Sequence, residues 1–223
     1  MKPSKGALSA ERTTEILLLV DRIHRRMDFG FPPLRFEDFF KIFDSYRIFE
    51  IDLPAGVDSR LVLTPNRPYK TIYLRSQNSR PKLRFALAHA VIHAELHCRG
   101  KKQAHRIECR TSEHAYDGRR SVLEREAEFG ATALLMPLWM IDRFVPYRSS
   151  TLYPERVIQN LARMFRVSEA AMQVQLRNYA AAAAKRPPAT AGESSGRRPS
   201  EVDWMAAADS TRRRASAAGR AQG

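Results

Sequence analysis

Two histidines four residues apart, His89 and His93, lie in the stretch Arg84-Phe-Ala-Leu-Ala-His-Ala-Val-Ile-His-Ala-Glu-Leu-His97. At 3.6 residues per turn, positions i and i+4 share one helix face. Two imidazole nitrogens so placed can reach one tetrahedral ion at about 2.0–2.1 Å. In the pattern H-E-x-x-H that spacing holds zinc, and the glutamate acts as general base on metal-bound water. Here the glutamate position is Ala90. The histidines point to metal, and the alanine removes the group that would hydrolyse with it. On its own H-x-x-x-H is a weak signal, and an apolar helix with two incidental histidines is the simpler account of it.

A helix must carry these residues, and the flanking sequence predicts one over about Pro81 to Cys98. Asn78 and Ser79 suit its N-cap, Pro81 its first turn, and Gly100 its end. A third metal ligand is expected from the next helix, predicted over Ser121–Met136, which carries Glu124, Glu126 and Glu128. The general base has no obvious substitute. Glu95 is five residues past position 90, about 500° of rotation, and so points roughly 140° away. His97 reads as a helix-end histidine facing the negative end of the dipole. His114 and Asp117, in a polar stretch, could approach the site from outside.

The two segments together resemble the ImmA/IrrE family of bacterial zinc metallopeptidases. Arg84, Phe85, Leu87, Ala88, His89 and His93 match R-F-x-L-A-H-E-x-x-H, and Glu124, Ala127, Ala131, Leu134, Leu135, Met136 and Pro137 match E-x-x-A-x-x-F-A-x-x-L-L-M-P. The resemblance spans roughly residues 35–178. It implies Zn2+, with Mn2+ as an alternative, held by His89, His93 and Glu124, with Glu128 and then Glu126 as substitutes for the third ligand. It also implies a parent activity of cutting a helix-turn-helix transcriptional repressor, in the service of stress response or mobile-element control. Four positions depart from the pattern. Ala90 replaces the general base, Ile92 a small glycine, Gly130 a phenylalanine, and Arg75 an asparagine. The ligands carry over and the base does not, so the chain as written is expected to bind metal but to be hydrolytically inactive or much weakened.

The 223 residues are 43% apolar, enough for a real core, and carry a net charge of +14. A basic chain favours polyanionic partners, so non-specific contact of the tail with nucleic acid is expected. Two cysteines, Cys98 and Cys109, make no disulfide framework. They read as ordinary free thiols, with a ligand role conceivable for Cys98. No run approaches the ~20 apolar residues of a membrane span, and no signal peptide is visible, so the expected location is the cytoplasm.

The fold class expected is α+β: a small, mostly antiparallel sheet packed on the zinc-site helix pair, then a small helix-turn-helix-like subdomain and a disordered tail. Residues 1–9 read as disordered, 10–137 as the metallopeptidase-like domain, 138–184 as the helical subdomain, and 185–223 as a disordered basic tail. Strands are predicted at 47–53, 60–63 and 70–74, helices at 10–27, 36–46, 154–165 and 168–180, and a loop over 99–120. Three functions compete: action on a repressor, a non-catalytic module that binds a repressor or senses metal, and, ranked last, a DNA-binding regulator.

Overall fold

A computed structural model describes residues 8–99, 105–109, 121–145 and 153–184. Helix α1 (Ala10–Arg26) starts where the Ser9 hydroxyl accepts the Arg12 backbone N–H, and ends on His24, Arg25 and Arg26, which suit the dipole. Its apolar stripe, Ile16, Leu17, Val20 and Ile23, is buried. Helix α2 (Phe36–Ile42) is shorter than its sequence pattern suggested. Tyr46 leaves the helical run to open the first strand, and its ring joins those of Phe39 and Phe40. The phenylalanine stripe is core, as its spacing predicts.

Four strands form one sheet: β1 (Tyr46–Ile51), β2 (Ser59–Leu63), β3 (Lys70–Arg75) and β4 (His105–Cys109), in the order β1-β3-β2-β4. The β2–β3 and β2–β4 pairs are antiparallel and β1–β3 is parallel. The sheet is therefore mostly antiparallel, as expected. Strand β4 falls inside the stretch read as a loop, and this is a correction. Its residues alternate, and Cys109 is buried against Ser59 while Glu108 pairs with Arg60 at 2.9 Å. Charged residues on the outer face hid the period-2 signal in a polar segment.

Helix α3 (Arg80–Ile92) starts at Ser79 with Pro81 in its first turn, then widens into a π-helical turn over His93–His97. The backbone N–H of Cys98 reaches back five residues to the carbonyl of His93. From Ala86 to Ala94 every side chain is buried. The reason is position: α3 packs on the sheet and on helix α4 (Val122–Leu135). Helix α4 starts at Ser121, whose hydroxyl accepts the Glu124 N–H. Helices α5 (Leu138–Ile141), α6 (Glu155–Phe165) and α7 (Glu169–Ala183) follow, and buried residues from α1 to α7 belong to one core. The α6–α7 turn passes through a left-handed Arg166, and Ser168 caps α7. Arg84 ties the layers by donating to the carbonyls of Leu34 and Arg166. The overall class is α+β. The expectations of disorder at 1–7 and 185–223 lie outside the described residues, as do His114 and Asp117; Ser9, at the edge of the first stretch, is the α1 cap.

Two departures from the family pattern turn out to be one packing solution. A Cβ added at Gly130 would sit 2.8 Å from Cγ2 of Ile92 and 3.1 Å from Cγ2 of Ile16. The branched Ile92 fits between α3 and α4 because Gly130 leaves room for it. Gly130→Ala gains about 1 kcal/mol of helix propensity. It also overpacks a β-branched side chain with little rotamer freedom, which costs about 1–3 kcal/mol. The expected net is a destabilisation of about 1 kcal/mol by denaturant unfolding, absent when Gly130→Ala is instead made in an Ile92→Ala background, whose own cavity costs about 2–5 kcal/mol. A Gly130→Ala protein as stable as the wild type would mean that the two sites do not share this space.

Candidate metal centre

His89 and His93 meet Glu124 across the α3–α4 seam. The two Nε2 atoms are 3.0 Å apart, with Glu124 Oε2 at 3.2 Å from His89 and Oε1 at 3.2 Å from His93. Ligands about 2.0–2.1 Å from a tetrahedral ion lie about 3.3 Å from one another. The three groups thus already stand at nearly the separations that a bound ion imposes. Both histidines are buried and Glu124 is 25% exposed, so the cluster sits just below the surface. Burial pushes the Glu124 carboxyl up, but hydrogen bonds from the two imidazoles outweigh this and hold it well below the usual range. Burial lowers His93 and favours its neutral, metal-ligating form.

A second tier orients His93. Its Nδ1 bonds His97 Nδ1 at 2.9 Å, His97 Nε2 bonds Glu126 Oε2 at 2.9 Å, and Arg12 of α1 donates to the same oxygen at 2.8 Å. Arg12 holds the Glu126 carboxyl below its ordinary value, so it stays ionised. Burial keeps His97 low and neutral. An ion bound at His93 Nε2, in place of the hydrogen bond to Glu124, would fix the tautomers. A carboxylate accepts only, so His97 would carry its proton on Nε2 and its Nδ1 would accept from His93 Nδ1–H. The lone pair of His93 Nε2 would then be free for the ion. Converging lone pairs of two imidazoles and a carboxylate suit a divalent cation.

His97 was read from sequence as a helix-end histidine, and Glu126 as a third-choice ligand. Both instead orient His93 from behind. The π turn brings His97 under His93, and sequence spacing alone carries no sign of a π turn. Glu128 lies half-buried one turn beyond Glu124, and its backbone carbonyl accepts the Thr132 hydroxyl.

Neither cysteine forms a disulfide. Cys98, for which a ligand role was conceivable, is not the thiol at the centre. Cys109 is: its Sγ and one ligand nitrogen from each of His89 and His93 all lie within 4.8 Å of one another. Burial pushes the Cys109 thiol up to about 12. The alternation of His105, Ile107 and Cys109 was the signal that could have placed it.

The base position is empty of chemistry. Ala90 is fully buried and offers a methyl group. Glu95 is engaged elsewhere, with the Tyr46 hydroxyl and with Lys70 Nζ at 2.7 Å. Burial raises the Glu95 carboxyl, but the bonds from Lys70 and Tyr46 outweigh this and keep it ionised in that pair. It cannot serve the metal site without breaking both bonds, in line with its predicted direction on the helix.

A helix carrying two histidines, a carboxylate from the next helix and a four-stranded sheet beneath them define a metallopeptidase-type scaffold. The profile of the peptidase M78 family, IrrE N-terminal-like domain, matches residues 45–177, from the start of β1 into α7. The chain belongs to this metallopeptidase family, which bears out the ImmA/IrrE resemblance and points to a metal cofactor. No curated protein matches the chain. Helix α1, which supplies Arg12, lies outside the matched region. No described helix is long and apolar enough to cross a membrane.

Proposed function

We propose that this protein is a metal-binding member of the family that engages a helix-turn-helix transcriptional repressor and hydrolyses it poorly or not at all. The observation that carries the reading is the pairing of a complete ligand cluster with a base position occupied by the buried Ala90. His89, His93 and Glu124 would hold a zinc or manganese ion. In an open site such an ion would lower the pKa of a bound water to about 7. His97 and Glu126 would keep His93 in its ligating tautomer. Among the described residues no side chain around the cluster is placed to move a proton to a departing amine, Glu95 being held by Tyr46 and Lys70. What remains is capture of the partner, with metal holding α3 and α4 together.

The test is binding and cleavage measured side by side. The zinc-loaded protein should co-elute with a helix-turn-helix repressor encoded beside its gene and leave that repressor intact. Absence of a complex would remove the repressor from the proposal. Efficient cutting would remove the claim of impairment.

The second tier gives its own prediction. Outer partners of a metal-bound histidine are typically worth 10–100-fold in metal affinity. His97→Ala should weaken zinc binding by about that factor in a chelator competition. His97→Gln should lose less, since an amide can both donate to Glu126 and accept from His93. An affinity unchanged in His97→Ala would show that this chain does not orient the ligand.

A further inference from the structure

Cys109 brings a thiol to the two imidazoles of the metal centre. Catalytic zinc sites have three protein ligands and an open position for water, whereas structural sites have four and commonly include cysteine. Here the two buried imidazoles gather a carboxylate from α4 and a thiol from the end of β4. Thiol and imidazole atoms within 4.8 Å need to close by little more than an ångström, since sulfur and nitrogen on one zinc, at about 2.3 and 2.0–2.1 Å, lie roughly 3.5 Å apart. We propose that Cys109 is the fourth ligand, so that the ion is enclosed by His89, His93, Glu124 and Cys109 and has no place for a hydrolytic water.

This rests on the reading that His89 and His93 bind metal, and deepens it. On binding, the S–H bond of Cys109 breaks, its proton passes to buffer, and the S–metal bond forms; nothing is oxidised or reduced. Enclosure accounts for the tolerance of alanine at position 90, because a site without bound water has no use for a base. It also sets the choice of metal. Thiolate favours zinc over manganese. The ion would then fasten β4 to α3 and α4, making it part of the fold.

Cobalt reports sulfur ligation by an intense near-ultraviolet charge-transfer band, separate from the weaker visible bands of any tetrahedral cobalt site. The metal-free full-length protein is loaded with Co2+, alongside Cys109→Ser and Cys98→Ala. The expected result is a sulfur band in the wild type and in Cys98→Ala, lost in Cys109→Ser while visible bands remain. Visible bands in the wild type without a sulfur band would overturn the fourth ligand and leave the three-ligand site standing. A sulfur band that survives Cys109→Ser and disappears in Cys98→Ala would also overturn it. Failure of the wild type to take up cobalt at all would bring down the metal reading itself. A wild-type spectrum without the sulfur band overturns the proposal even if Cys109→Ser does not fold, and a band kept in Cys98→Ala then assigns the sulfur to Cys109.

Discussion

Replacing His89 and His93 together by alanine is expected to reduce bound metal from about one equivalent per chain to background. The two imidazoles are the buried centre of the cluster, and Glu124 alone is an ordinary, partly exposed carboxylate with no fixed partner. The same substitution should abolish stabilisation by zinc. A ligand that binds only the folded state stabilises by RT ln(1 + [L]/Kd), about 4 kcal/mol at a thousandfold excess over Kd. Thermal unfolding with and without zinc should therefore show a large upward shift in the wild type and none in the variant. The zinc-induced shift is the quantity to compare. The metal-free variant also loses the hydrogen bonds that His89 and His93 make to Glu124, and is less stable for that reason alone. An equal shift in both proteins would place the metal elsewhere.

Ala90→Glu is expected to raise the rate of repressor cleavage by about 10²–10⁴-fold, the usual worth of a positioned general acid–base group. Position 90 is fully buried, so a carboxyl introduced there is desolvated and its pKa moves up, towards the range useful to a base near neutral pH. The same burial costs stability, and rates should be normalised to folded, metal-loaded protein. If Cys109 closes the coordination sphere, the gain appears in full only in Ala90→Glu combined with Cys109→Ser, where water regains a position. A single variant and a double variant that both stay silent would mean that more than the base has been lost from this scaffold.

Much of this was legible in the chain. The i,i+4 spacing put His89 and His93 together because helix geometry converts it into proximity, whereas Glu124 came from the family resemblance and is brought to them by the α3–α4 packing. Ser79 and Ser168 stand where the predicted helices start, and the Ser168 hydroxyl accepts the Ala171 backbone N–H in the first turn of α7. The misses have a common cause. Strand β4, the position of Cys109, and the His97–Glu126–Arg12 chain are all set by tertiary pairing across long separations. Arg12 and Glu126 are 114 residues apart, and no local pattern links them. The compensation of Ile92 by Gly130 was visible as two departures from a motif, but their contact needed the α3–α4 packing to show that they are one change.

The central claim is a metal centre retained without a hydrolytic base. It is tested most directly by intact-mass spectrometry of a helix-turn-helix repressor after incubation with wild-type protein of measured zinc content. About one zinc per chain and a repressor of unchanged mass are expected, under conditions in which the Ala90→Glu, Cys109→Ser protein releases a discrete fragment. A discrete fragment produced by the zinc-loaded wild type at a comparable rate would contradict the claim.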